Sequence, residues 1–135
     1  MKALGVSISI IAAAMLLPTL SQAAGKKLDT SNPFICVPTA VSECGISGDC
    51  LRGTAESENL PQVFKIDLNA KTIRSDQGRQ SSIEKVTRAH GKIVLSGGEA
   101  DRAWNVLISE NTGSMTGAVT GDGVSFALFG ICLAP

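Results

Sequence analysis

Apolar and polar residues alternate along much of this chain, and turn-forming residues recur about every ten positions. In "VFKIDL", Phe64, Ile66 and Leu68 fall on one face, while Lys65 and Asp67 fall on the other. This alternation predicts half-buried strands, because successive side chains of a strand point to opposite sides. Short strands at this spacing are typical of an all-β sandwich or barrel.

The last third of the chain continues the same pattern. In "AWNVLISE", Trp104, Val106 and Ile108 share a face, and "NTG" then predicts a hairpin loop in which Gly113 adopts positive φ. The closing segment "VSFALFGICLA" is apolar on both faces, which predicts a strand that is buried on both sides or paired along both edges. We therefore expect it to close the sheet onto the first strand.

The secondary structure of residues 82–90 is ambiguous from the sequence. Ser81 and Glu84 have the spacing of a capping box, and Gly91 would end a helix. Val and Thr in this segment favour a strand, and the turn that follows resembles a hairpin. We predict a strand and keep the helix as the alternative.

These patterns predict a single all-β domain over residues 34–135. We expect an antiparallel up-and-down barrel, or a barrel-like sandwich, of about eight or nine strands. The preceding stretch 24–33, "AGKKLDTSNP", is polar and has no period, which predicts a flexible leader.

The first 23 residues have the features of a signal peptide. Lys2 gives a positive start, an apolar run without charge extends from Ala3 to Leu17, and "SQA" ends the segment at Ala23 with the small residues that signal peptidase requires. The run is shorter than the roughly 20 residues of a membrane span. We predict cleavage after Ala23 and a periplasmic or secreted protein without a membrane span; the alternative is an uncleaved anchor.

The four cysteines predict two structural disulfides, because oxidation is the default for an exported chain. Cys36, Cys44, Cys50 and Cys132 lack the close pairs of a zinc site or a thioredoxin-like centre. Three pairings are possible. We prefer Cys44–Cys50, which lie across a glycine-containing turn, and Cys36–Cys132, which lie in the predicted first and last strands.

Charge and composition disfavour two classes of binding partner, nucleic acids and membrane surfaces. The formal net charge is zero, and the basic residues are scattered among acids. A basic stripe for nucleic acid and a basic amphipathic helix for membranes are both missing from the sequence pattern. We expect no nucleic-acid partner and a monomer.

The sequence shows no catalytic or cofactor-binding pattern. The single histidine, His90, is expected to be a surface turn residue, and Trp104 a core residue. The glycines of "NTGSMTGAVTGDG" lack the context of a phosphate-binding loop, so we interpret them as turn and bulge residues. We also considered whether two acids could form a catalytic pair, but no spacing singles out two of them: Asp67, Asp76, Glu84 and Asp101. We predict no metal, no cofactor and no enzymatic activity.

Four stretches resemble a group of small, uncharacterised secreted proteins of Gram-negative bacteria. They are "FICVPTAVSEC", "VFKIDLNAKTI", "GKIVLSG" and the closing segment from "WNVLI" to "FGIC". This resemblance implies an exported protein and supports the predicted β fold, but it implies no functional site. A looser likeness in architecture is to periplasmic inhibitors of C-type lysozyme, which open with a similar aromatic-x-Cys strand. Their inhibitory loop motif is not found in this chain.

Two binding hypotheses follow. The first is a non-enzymatic module that binds a protein or cell-envelope partner, with lysozyme inhibition as its most concrete form. The second is a carrier of a small apolar ligand inside the barrel, since barrels of about eight strands either hold one small molecule or are filled by side chains. An apolar cavity would favour the carrier, and a filled interior would exclude it.

Overall fold

The structure is a computed structural model that describes residues 25–135. The predicted signal peptide, residues 1–23, and its cleavage after Ala23 lie outside the described residues. Within residues 25–135 there is no helix long and apolar enough to cross a membrane.

The described chain forms only strands, turns and loops, which confirms the all-β prediction. Every strand pairing is antiparallel. Residues 82–90 contain a strand, as predicted. The ten strands are β1 (Phe34–Gly45), β2 (Cys50–Gly53), β3 (Phe64–Asp67), β4 (Thr72–Ser75), β5 (Gln80–Ser82), β6 (Lys85–Ala89), β7 (Lys92–Glu99), β8 (Arg102–Ser109), β9 (Ser114–Gly121) and β10 (Val124–Leu133).

The strands form one sheet in the order β5-β4-β3-β1-β10-β9-β8-β7-β6, with β2 beside β1. The two end strands, β5 and β6, are consecutive in the chain. At their junction the Ile83 amide donates to the carbonyl of Lys71, which precedes β4, and the Glu84 amide donates to the Ser96 carbonyl of β7. Consecutive residues of the chain therefore pair with opposite ends of the sheet, and the sheet curls into a barrel-like shape.

The closing strand β10 pairs along both edges, with β1 and with β9, as one of the two sequence alternatives predicted. The other alternative, burial on both sides, is wrong. Phe129, Ile131 and Leu133 point outward and keep 41–50% of their surface exposed. The outward face of β10 is apolar because its residues favour strands, whereas only its inward face contributes to the core.

Both predicted disulfides are present, Cys36–Cys132 and Cys44–Cys50. In each case the two cysteines lie directly opposite each other in adjacent strands. The first joins β1 to β10 across 96 positions of sequence, and the second staples the β1–β2 hairpin. Disulfides of this kind are typical of extracellular and periplasmic proteins.

The core consists of two clusters of buried side chains. The larger one contains Phe34 and a group of isoleucines that point inward from five strands or their junctions, namely Ile66, Ile73, Ile83, Ile93 and Ile108. The smaller one surrounds Val41 and Leu128 near the other end of the barrel. Phe64 packs against both clusters.

Residues 25–33, which their composition predicts to be a flexible leader, form no strand but contact the barrel. Leu28 is buried in the larger cluster, and its amide donates to the Glu110 carbonyl at 2.7 Å. The buried Thr30 hydroxyl donates to the Glu110 carboxylate, which also accepts from Arg88. The burial of a single apolar residue, Leu28, thus anchors this otherwise polar segment to the barrel.

Candidate functional site

Several inward positions of the barrel are occupied by small residues. Three of them, Ser75, Gly97 and Gly117, each come two positions after a buried residue of the same strand and so point inward. The fourth, Ser81, points inward because it pairs with the buried Ile73. The neighbouring inward positions of β4, β7 and β9, toward Leu28, hold the larger buried residues Ile73, Leu95 and Met115. The interior is therefore filled at one end and incompletely filled at the other.

The incompletely filled part of the interior forms a cavity of about 130 Å³ between the two core clusters. Its wall is mostly apolar, and a smaller number of polar side chains stand around it. The apolar residues that line it are Leu60, Pro61, Phe64, Ile73, Trp104, Val106, Met115, Ala118, Val119 and Leu128. An apolar concavity with a few polar groups is the usual form of a small-molecule site.

Trp104 forms one wall of the cavity and is held there by two contacts. Its Nε1 donates to the Ser81 hydroxyl at 3.2 Å. Its ring lies across Gly97, its cross-strand partner, so closely that a Cβ at residue 97 would stand 2.5 Å from the ring. A glycine here lets the indole lie flat on the sheet, and the indole in turn covers the glycine backbone. Trp104 is thus half-buried and contributes to a cavity wall, whereas the sequence predicted a plain core residue.

The polar side chains at the cavity come from three places. Arg79 lies in the β4–β5 turn, where its backbone amide donates to Ser75 Oγ. Glu99 and Arg102 face each other across the β7–β8 turn, and Ser75 and Ser81 lie on β4 and β5. Within residues 25–135 the ion pairs involve Glu110 alone, so neither arginine at the cavity is paired with a carboxylate.

The loop between β2 and β3 covers part of the cavity. Ala55 and Leu60 are buried against Val41 and Leu128, and the Leu60 amide donates to the Ala55 carbonyl at 2.8 Å. This connection brings Leu60 and Pro61 to the cavity wall.

An interaction between two carboxyl groups lies beside this loop. The Glu58 side chain forms a hydrogen bond with Glu43 of β1, which raises the pKa of the Glu43 carboxyl. Partial burial and the negative charge of Glu58 act in the same direction.

The opposite end of the barrel is covered by the leader segment. Arg88 Nη1 donates to Glu110 Oε1 at 2.9 Å, and Lys27 Nζ lies 4.0 Å from Glu110 Oε2. Together with the buried Leu28, this cluster separates the isoleucine core from solvent. The cavity is therefore associated with the end of the barrel where β7 and β8 are joined.

The other residues considered from the sequence do not converge on a site. All four cysteines are in disulfides. His90 is an exposed turn residue with φ of 52°, as predicted. Asp67 accepts from the backbone amides of Asn69 and Ala70 and so stabilises the β3–β4 turn. Within residues 25–135 no three His, Cys, Asp or Glu residues are placed to hold a metal ion.

The cavity residues Arg79, Arg102, Ser75 and Ser81 were not identified from the sequence. A usable signal exists, because small residues occupy the inward position of several strands. That signal becomes visible only once the fold shows that Ser75, Ser81 and Gly117 line the same cavity. No protein-family model, curated protein or solved structure matches this chain.

Proposed function

We propose that this protein is an exported carrier that binds one small apolar ligand in the cavity beside Trp104. The observation that supports it is the cavity itself, about 130 Å³ with a mainly apolar wall. An engineered apolar cavity of about 150 Å³ in another protein binds benzene, so this volume suits a ligand segment of about six to eight non-hydrogen atoms. We propose the periplasm or the extracellular space as its location, in agreement with the two disulfides.

The proposed role is binding without catalysis. The polar side chains at the cavity are two arginines, two serines and one glutamate. The only histidine, His90, is exposed in the β6–β7 turn and does not line the cavity. This set can orient a ligand, but it contains no nucleophile held against a base.

Trp104 provides the assay, because it is the only tryptophan of the chain and tyrosine is absent. The neutral probe is 1-hexanol. Burying about six carbons at roughly 0.8 kcal/mol each gives about 5 kcal/mol, which corresponds to a dissociation constant of about 0.2 mM at best. We expect a saturable change in Trp104 emission in that concentration range.

Two valine variants test the location of the site. Val106→Phe places a ring in the cavity, because Val106 points inward between Leu95 and Gly117. Val94→Phe places the same ring on the outer face of β7, where Val94 is 39% exposed. We expect the first variant to lose binding of 1-hexanol and the second to retain it. Equal binding by both variants, or no saturable signal in the wild type, contradicts the carrier.

A second candidate function is binding of a protein partner through the β1–β2 hairpin. Ile46 at its tip is 91% exposed and Leu51 is 73% exposed, and the Cys44–Cys50 disulfide holds the hairpin in shape. A rigid apolar tip loses little conformational entropy when it enters an apolar cleft. A C-type lysozyme is the partner that the looser likeness in architecture implies.

This candidate is tested by biolayer interferometry with immobilised C-type lysozyme. We expect the double variant Ile46→Ser/Leu51→Ser to lose at least tenfold in affinity if the hairpin inserts into the enzyme. Leu133→Ser is the control, because Leu133 is 50% exposed on a different strand. Lack of binding by the wild type excludes lysozyme as the partner.

A further inference from the structure

We propose that the ligand is a single-chain amphiphilic anion, a short-chain alkyl carboxylate whose tail fills the cavity and whose carboxylate binds Arg79 and Arg102. This inference rests on the proposed function and adds the chemical class of the ligand. Its basis is the combination of an apolar interior with two cationic side chains on the same cavity.

The charge balance at the cavity favours an anion. Arg79 and Arg102 line it together with a single acid, Glu99. Glu99 lies opposite Arg102 in the β7–β8 register, yet the two side chains form no ion pair. Arg79 Nη2 donates to the neutral Gln77 amide oxygen at 3.2 Å. Both guanidinium groups are therefore available for an external carboxylate.

The arrangement of the side chains matches the two parts of an amphiphile. Met115 and Leu128 are buried at the cavity wall, with the half-buried Trp104 and Val106 beside them. Both arginines belong to exposed segments, the β4–β5 turn and the start of β8. A guanidinium group suits a carboxylate because its planar donors can form two parallel hydrogen bonds with the two oxygens.

The cavity volume limits the tail to one chain. About 130 Å³ accommodates a chain of about six to eight carbons, whereas a lipid with two acyl chains exceeds it. A cationic amphiphile of the same length would place its charge beside two arginines. A neutral alcohol would fill the cavity without any contribution from them.

The first experiment compares straight-chain alkanoates with 1-alkanols of equal length, from four to twelve carbons, by the emission of Trp104. Each added methylene is expected to tighten binding about fourfold until the cavity is filled, near eight carbons. At low ionic strength we expect octanoate to bind about fivefold or more tightly than 1-octanol. This advantage should shrink in 1 M NaCl, because salt screens exposed charges.

The second experiment assigns the head group to the two arginines. Arg79→Gln and Arg102→Gln are each expected to weaken octanoate binding about twofold to fivefold and to leave 1-octanol binding unchanged. The control is Arg52→Gln, an exposed arginine of β2 that does not line the cavity. Circular dichroism of each variant verifies that the fold is retained.

The possible results separate this inference from the proposed function. If 1-octanol binds as well as octanoate, the anionic head is refuted and the apolar carrier stands. If neither compound binds, the carrier itself is refuted. If octanoate is preferred but all three arginine variants bind it equally, the assignment to Arg79 and Arg102 is wrong.

Discussion

The two disulfides are expected to differ about twofold in their contribution to stability. In the chain-entropy model a cross-link stabilises by restricting the unfolded chain, and the effect grows with the logarithm of the loop length. Cys36–Cys132 spans 96 positions and Cys44–Cys50 spans 6. The model then gives about 4.7 kcal/mol for the first and about 2.2 kcal/mol for the second. Against a typical free energy of unfolding of 5–15 kcal/mol, the first is a large share.

The environment of each bond increases the expected difference. Cys36 and Cys132 are 0% and 2% exposed, so their replacement by alanine also removes sulfur atoms from the core. Cys50 is exposed and Cys44 only half-buried, so serine at these positions leaves no core defect. We expect Cys36→Ala/Cys132→Ala to lose more than about 4.7 kcal/mol, and Cys44→Ser/Cys50→Ser to lose about 2.2 kcal/mol.

The measurement is urea unfolding followed by the emission of Trp104. With a slope of about 1–1.5 kcal/mol per molar, loss of the hairpin disulfide should lower the midpoint by about 1.5–2 M. Loss of the long-range disulfide should lower the midpoint by about 3 M or more. Equal losses for the two double variants would refute the chain-entropy reasoning for this barrel.

Two further changes test contacts around the cavity. Gly97→Ala would place a Cβ 2.5 Å from the Trp104 ring and 2.6 Å from the Ser82 carbonyl oxygen, so we expect a loss of about 1–3 kcal/mol in urea unfolding and a shifted emission maximum. The control is Gly45→Ala, at a strand glycine whose added Cβ would meet nothing within 4 Å, and it should change neither. The pKa of Glu43 is raised above its ordinary value of 4.5, chiefly by the hydrogen bond with Glu58. Its protonation therefore favours the folded state, and this contribution is complete below the ordinary pKa and is lost as pH rises through the raised one. Thermal midpoints measured between about pH 4 and pH 7 should decline less in Glu43→Gln than in the wild type, and parallel curves would contradict this coupling.

The strands and their closure could be predicted because the relevant signals are local. The alternation around Ile66 defines a strand regardless of what it packs against. Cys36 and Cys132 lie in apolar segments at the two ends of the domain, so their pairing followed once those segments were taken as neighbours. Ser81 and Glu84 suggested a capping box, but in the structure Ser81 accepts from Trp104 instead, and the helix alternative fails.

The cavity could not be predicted because it depends on register. Ser75 and Gly117 each look like an ordinary strand residue or a turn residue in the sequence. They matter together only because the folded sheet brings them, with Ser81, to the wall of one cavity. The burial of Leu28 could not be predicted for a similar reason, since it depends on a surface built by distant strands.

An incompletely filled interior lowers the stability of a small barrel, and this provides a last test of the carrier hypothesis. An enclosed cavity costs about 24 cal/mol per Å³, so 130 Å³ corresponds to at most about 3 kcal/mol that a filled interior would regain. Val106→Phe, which is expected to block the ligand, should therefore unfold at a higher urea concentration than the wild type. Sites that bind ligands often carry such a stability deficit. If Val106→Phe instead loses both stability and 1-hexanol binding, the phenylalanine ring does not fit the cavity. The loss of binding is then caused by a distorted barrel, and not by a ring that occupies the ligand site.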